Sequence, residues 1–244
     1  MFSVLIEEYK IRLQKNNSET VVFNTIKNWL EKRSNDGYTI VHYASFKGNI
    51  DILKKLFEYN IDPTVTNIRG ITPFHMAAQG DSPNSLVYLV EKFKVNFNQK
   101  DNDNTNCLQW ASYMGAENSF LYLVSLGIDL NEQNINGQTA LHVAILAECT
   151  KIVKKLIQRG ADINLRDIKN RTPYELAIEK NKVTIIEMFQ ESQGCQLCVC
   201  HNPVKKTERT YFNVYMFIFL HLIDESIVFL LLLPRNIEYN FRFE

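Results

Sequence analysis

Five turn-forming residues recur along the chain at nearly constant spacing: Gly37, Gly70, Asn104, Gly137 and Asn170 are separated by 33, 34, 33 and 33 residues. Self-similarity at such a period means a stack of short supersecondary units, each burying its apolar face only against its neighbours. Two residues after each turn comes Thr39, Thr72, Asn106, Thr139 or Thr172. Then follow His42, His75, Gln109, His142 and Glu175, and after them Ala44, Ala77, Ala111, Ala144 and Ala177. The fourth copy is the fullest: Asn136-Gly-Gln-Thr-Ala-Leu-His-Val-Ala, an Ile152-Val153…Leu156-Ile157 helix, then Arg159-Gly-Ala-Asp-Ile-Asn.

Each element has a physical role. Gly at the turn supplies a positive φ at no steric cost, and Asn is the next best residue there. Thr72-Pro73 and Thr172-Pro173 open a helix, with Thr capping free N–H groups and Pro taking the first helical position. Small Ala residues in the first helix let the next unit stack closely. Val, Leu and Ile at helical spacing in the second helix fill a shared core, and Gly160 ends that helix with a left-handed cap.

These residues identify the chain as resembling the ankyrin repeat over about Asn35 to Gln190. The resemblance implies an all-α solenoid of helix-turn-helix repeats with short hairpin loops. Five repeats are expected at 35–66, 67–100, 101–133, 134–166 and 167–190. Residues 1–34 read as two amphipathic helices capping the first repeat's open apolar face. Three departures stand out. Asn106-Cys107 replaces Thr-Pro in the third copy, and Glu148 stands where the fourth would have Gly. In the second, Gln79-Gly-Asp-Ser-Pro-Asn has a shifted Gly and implies a slightly longer loop.

Composition narrows the function. With 27 basic and 27 acidic residues the net charge is zero, so the electrostatic footprint of a nucleic-acid binder is missing. Glu7 and Glu8 follow Met1–Ile6 too soon for a signal peptide. No catalytic arrangement or cofactor motif appears, and three of the five His residues sit where they tie neighbouring turns together. The expectation is a binding surface with no catalytic residues, no cofactor and no metal. In an ankyrin stack the first helices line the concave face, and the residue after the His points into the groove. Those residues are Tyr43, Met76, Trp110, Val143 and Leu176, followed one turn later by Phe46, Tyr113 and Leu146. Tyr43, Phe46, Met76, Trp110 and Tyr113 form a candidate stripe for a protein or short linear peptide, since Trp, Tyr and Met are enriched at interface centres. Ordinary packing between repeats is the competing role for each.

Beyond the repeats the composition changes. Residues 191–210 read as a Cys-rich, then basic linker, 211–234 as a hydrophobic segment and 235–244 as a tail. Val214 to Pro234 is 21 residues long, about the length a spanning helix needs. Its apolar residues contribute about −5 to −9 kcal/mol to insertion, and an acid near the centre costs about 3 kcal/mol. Asp224 and Glu225 make it a marginal span, of the kind that has companion helices. An apolar helix packed on the last repeat is the alternative, which would make the chain a soluble cytosolic scaffold. Lys205, Lys206 and Arg209 against the sparser Arg235 and Arg242 place the repeats on the cytosolic side. Cys195, Cys198 and Cys200 lie just upstream with His201. With no distal pair they make a poor zinc site, whereas juxtamembrane thiols are natural S-acylation acceptors.

Repeats, linker and first span in this order resemble the N-terminal half of ankyrin-containing DHHC-type protein S-acyltransferases (palmitoyltransferases). Leu108-Gln-Trp-Ala-Ser-Tyr-Met-Gly115 is similar to a string common in that family. The resemblance implies substrate recruitment through short peptides with Trp110 taking part, on a Golgi or other endomembrane. The Asp-His-His-Cys tetrad does not occur, and Cys195 to Cys200 precede the span, so the expectation is a truncated product or fragment that recruits without transferring acyl groups.

Overall fold

Twelve helices follow one another in the computed structural model, which describes residues 2–14 and 18–194. Helices α1 (Phe2–Gln14) and α2 (Glu19–Leu30) precede five helix pairs. The pairs are α3 (Ile40–Phe46) with α4 (Ile50–Glu58), α5 (Pro73–Gln79) with α6 (Pro83–Phe93), α7 (Cys107–Met114) with α8 (Glu117–Ser125), α9 (Ala140–Leu146) with α10 (Thr150–Gln158), and α11 (Pro173–Glu179) with α12 (Val183–Gly194). Among the described residues there is no β-strand, only an isolated bridge between Lys100 and Asn106. The hydrophobic segment 211–234, the linker thiols and the tail lie outside the described residues.

The repeat pattern folds as its chemistry dictates. Gly37, Gly70, Asn104, Gly137 and Asn170 all have positive φ, between 57° and 79°. Glycine is needed at Gly70 and Gly137 for a second reason, because the next hairpin runs close by. A Cβ at Gly70 would lie 2.9 Å from the backbone nitrogen of Asn102, and one at Gly137 the same distance from that of Ile168. At these approaches successive hairpins are joined by main-chain bonds: Ile68 N–H donates to Asp36, Asn102 to Arg69, Ile135 to Asp103 and Ile168 to Asn136, at 2.9–3.1 Å. The turns are further set by a side chain that sequence reading missed. Asn67, Asp101, Asn134 and Asp167 each accept, through Oδ1, from the backbone N–H groups two and four residues on, an Asx turn that presets the hairpin.

Each first helix opens on a capping box, satisfying two of the orphan donors at the helix start. In the third repeat Asn106 Oδ1 accepts from Gln109 N–H and Gln109 Oε1 from Asn106 N–H, both at 2.9 Å, so the replacement of Thr and His conserves both bonds. The far nitrogen then reaches into the next repeat: His42 Nε2 meets Ile71 O at 3.0 Å, Gln109 Nε2 donates to Gln138 O at 2.7 Å, and His142 Nε2 meets Arg171 O at 3.2 Å. His75 Nε2 faces the carbonyls of Thr105 and Gln99 without a well-formed bond to either.

Packing follows from residue size. Ala77, Ala111, Ala144 and Ala177 are fully buried, so adjacent first helices approach backbone to backbone. Leu86 and Leu89 of α6, Phe120 and Leu123 of α8, and Ile152, Val153 and Leu156 of α10 fill the space behind them, each worth about 1.5–3 kcal/mol of burial. This core runs from Phe74 to Phe189. A second core, from Ile6 to Ile61, joins α1 and α2 to the first repeat. Phe57 packs against both, 4.2 Å from Phe93 between ring centroids.

The loop of the second repeat corrects one expectation. Gly80 to Ser82 is a three-residue connection, as in the first and fourth repeats. The 34-residue interval arises instead beyond the loop: α6 is eleven residues long against nine for α4, α8 and α10, and the connection that follows it is one residue shorter. Gly80 has an ordinary φ and is required by proximity: a Cβ there would lie 2.0 Å from Phe46 O, the carbonyl that Ser82 Oγ also reaches at 2.9 Å. The fourth repeat's Glu148 takes a φ of 58° where Gly is the easy residue.

Two measurable consequences follow. Burial is the main cause that lowers His42 and His142 below the ordinary histidine value and takes His75 from 6.5 to about 4. The unfolded chain therefore binds more protons than the fold between those values, so stability is complete above pH 6.5 and is lost as pH falls toward 4. The His75 share is about 3 kcal/mol. Thermal unfolding from pH 7.5 down should show this slope, and His75→Gln, copying Gln109, should flatten part of it. Separately, Glu148→Gly should raise stability in urea unfolding by about 0.5–1 kcal/mol by removing backbone strain, because the exposed ion pair with Lys182 that it gives up is worth little.

Candidate functional site

The first helices carry the candidate residues, and the structure distributes them unevenly. Tyr43 and Tyr113 are about half exposed, at 53% and 52%, Phe46 and Trp110 are partly buried, and Met76 is buried at 8%. Tyr43 leans on Tyr38, with ring centroids 5.9 Å apart, and Lys47 sits over the Phe46 ring. Trp110 and Tyr113 meet edge to face at 6.4 Å. Those two, with Val143 and Leu146, form the apolar floor of a groove of about 550 Å³. Tyr43, Phe46 and Met76 are not among its lining residues.

The groove walls come from the hairpins of the second, third and fourth repeats. Arg69, Asp103, Ile135 and Asn136 stand at the hairpin tips, with Thr105, Gln109 and Gln138 below them. Arg69, Asp103 and Asn136 occupy the same place in successive repeats, the residue before the turn Gly or Asn. Opposite charges at that place pair across repeats: Arg69 Nη2 lies 3.1 Å from Asp103 Oδ2. The exposed pair contributes little stability, but it holds the guanidinium 5.8 Å above the Trp110 ring centroid, within cation–π range. From the other side, Trp110 Nε1 donates to Asp101 Oδ2 at 2.9 Å. Asp101 thus uses one oxygen to shape the hairpin and the other to fix the groove's tryptophan.

This arrangement offers the elements of a binding surface. A rigid indole face, an exposed phenol edge and an aliphatic wall offer apolar contact. Asn134, Asn136, Gln138 and Thr105 offer donors and acceptors at backbone height. Burial pushes the thiols of Cys107 and Cys149 up, leaving them poor nucleophiles. Among the described residues no group of three His, Cys, Asp or Glu side chains could hold a metal, and no helix is long and apolar enough to cross a membrane. Cys195, Cys198 and Cys200 lie outside the described residues.

Comparison with known proteins agrees with this geometry. Family descriptions of ankyrin repeats match residues 42–134 (three copies) and 123–177 (many copies). The chain belongs to the ankyrin-repeat family. Curated relatives include SH3 and multiple ankyrin repeat domains protein 2 of Homo sapiens, 29% identical over 66% of this chain and 9% of that protein. Alpha-latrotoxin-Lg1a of Latrodectus geometricus is 32% identical over 65% of this chain and 9% of its own length. Palmitoyltransferase AKR1 of Lachancea kluyveri is 25% identical over 59% of this chain and 20% of that protein. The chain spans a fifth or less of each of these three.

Natural Asn at 67 and 134 makes the same Asx turn as Asp101, which isolates the tryptophan contact for test. Asp101→Asn should keep the hairpin but turn an amide N–H toward the indole N–H. Urea unfolding should show a loss of about 1–3 kcal/mol, with altered Trp fluorescence.

Proposed function

We propose that this chain is a membrane-tethered ankyrin adaptor that binds a short extended peptide in the groove around Trp110. The ankyrin family is a protein-binding scaffold, and the groove supplies what a peptide needs: a fixed aromatic anchor beside hydrogen-bonding groups at the hairpin rim. Tyr43 and Phe46 extend the contact surface toward the first repeat, whereas Met76 is buried. The similarity to palmitoyltransferase AKR1, taken with the hydrophobic segment at 211–234, supports a role as the recruiting part of an S-acyltransferase-like protein. On that layout the repeats face the cytosol at a Golgi or other endomembrane, and Cys195, Cys198 and Cys200 are acceptor thiols beside the membrane. Acyl transfer itself has no Asp-His-His-Cys tetrad in this sequence to perform it.

Two experiments test the two halves of this function. Full-length chain in detergent, panned against a random-peptide display library, should select peptides whose affinity drops about tenfold or more with Tyr113→Ala. Tyr113 is half exposed, so the fold should survive the change. Selected peptides indifferent to both Tyr113→Ala and Trp110→Ala would place binding elsewhere. For the tether, carbonate extraction should leave the full chain in the membrane pellet and release a chain ending at Ser192. Release of both would instead make the chain a soluble scaffold.

A further inference from the structure

Helices α1 and α2 bury Ile6, Val22, Ile26 and Leu30. They leave Leu5 at 55%, Tyr9 at 40% and Trp29 at 46% exposed. These three, with Glu8 and Arg12, line a groove of about 400 Å³ along the cap. The Tyr9 and Trp29 rings lie 6.3 Å apart, so the patch is contiguous. Glu8 and Arg12 flank it, and neither has an ion-pair or hydrogen-bond partner among the described residues.

We propose that this face is a self-association surface, covered by the same face of a second copy of the chain. The charge arrangement carries the assignment. Glu8 and Arg12 are four residues apart, about 6 Å along the helix axis. A two-fold axis at position 10 that sets α1 antiparallel to its counterpart places Glu8 of each copy beside Arg12 of the other. The interface is then isologous, with two identical ion pairs on either side of the two Tyr9 side chains and with Leu5 beyond the pairs. Parallel packing would instead oppose Glu8 to Glu8 and Arg12 to Arg12, a repulsive arrangement. The contact is confined to one helix face about 20 Å long with Trp29 beside it, so the dimer dissociates on dilution. This surface is at the opposite end of the repeats from the last helix pair and makes no use of the Trp110 groove.

The test uses the full chain in detergent with the photo-crosslinker p-benzoylphenylalanine in place of Tyr9. Irradiation should give a covalent dimer whose yield rises with protein concentration. Glu8→Arg and Arg12→Glu should each reduce that yield about tenfold or more, since each leaves only like charges facing one another. Mixing the two variants should restore it, because each supplies the charge the other has lost. Both positions are exposed, and circular dichroism verifies that the variants are folded. No covalent dimer at about 100 µM, a yield indifferent to both reversals, or folded variants that fail to recover on mixing would each overturn the proposal. Association driven by the segment at 211–234 would show as the second of these.

Discussion

The contact on which the stack depends is made by one side chain per repeat that works in both directions. At positions 42, 75, 109 and 142 an acceptor atom closes the helix to which it belongs. In three of these repeats the donor at the other end reaches a carbonyl 29 residues on. Imidazole and carboxamide are the side chains that carry one acceptor and one donor at this separation, which is why Gln109 substitutes for His without loss. A carboxylate can only accept. Glu175 occupies the position in the fifth repeat, where it accepts from Thr172 N–H and pairs with Arg166, and no further repeat follows among the described residues. Because these groups are buried, helix start and repeat stacking are linked, and protonating a ring would remove the Nδ1 acceptor that closes the helix while Nε2–H still donates to the next repeat.

Much of this was legible in the sequence because the period repeats the same local chemistry five times. The turn residues, the caps and the small Ala contacts could be read from single positions. Other features were less visible. The Asx residue at 67, 101, 134 and 167 also recurs at the period, but its role depends on hairpin geometry that a one-dimensional pattern does not display. The shifted Gly80 suggests that the extra residue of the second interval lies in the loop. The structure shows that Gly80 is small because Phe46 O is close, a constraint from a residue 34 positions earlier, while a longer α6 and a shorter connection after it together absorb the insertion.

The groove shows the same division. Trp110 and Tyr113 follow from the first-helix register, and they meet as that register suggests. Burial of Met76 does not follow from register, because it depends on how tightly the second repeat is closed over by its neighbours. The charged rim was missed although its signal is simple. Asp36, Arg69, Asp103, Asn136 and Lys169 are equivalent residues, and adjacent opposite charges there predict a pair across hairpin tips.

Structural and candidate groove residues overlap in part, since Gln109 and Asn134 hold a helix start and a hairpin and also line the groove. Turn, cap and Ala positions are constrained by the stack itself, and the relatives this chain resembles carry names as different as SH3 and multiple ankyrin repeat domains protein 2, alpha-latrotoxin-Lg1a and palmitoyltransferase AKR1. The residue before the turn is free of those constraints and changes sign from repeat to repeat. At Arg69, Asp103 and Asn136 its side chain stands at the groove rim, and in Arg69 it also sets the electrostatic character of the Trp110 face. Fold membership consequently says little about the partner, whereas the run of charges along the hairpin tips, acidic, basic, acidic, neutral and basic, is what a bound peptide would have to match.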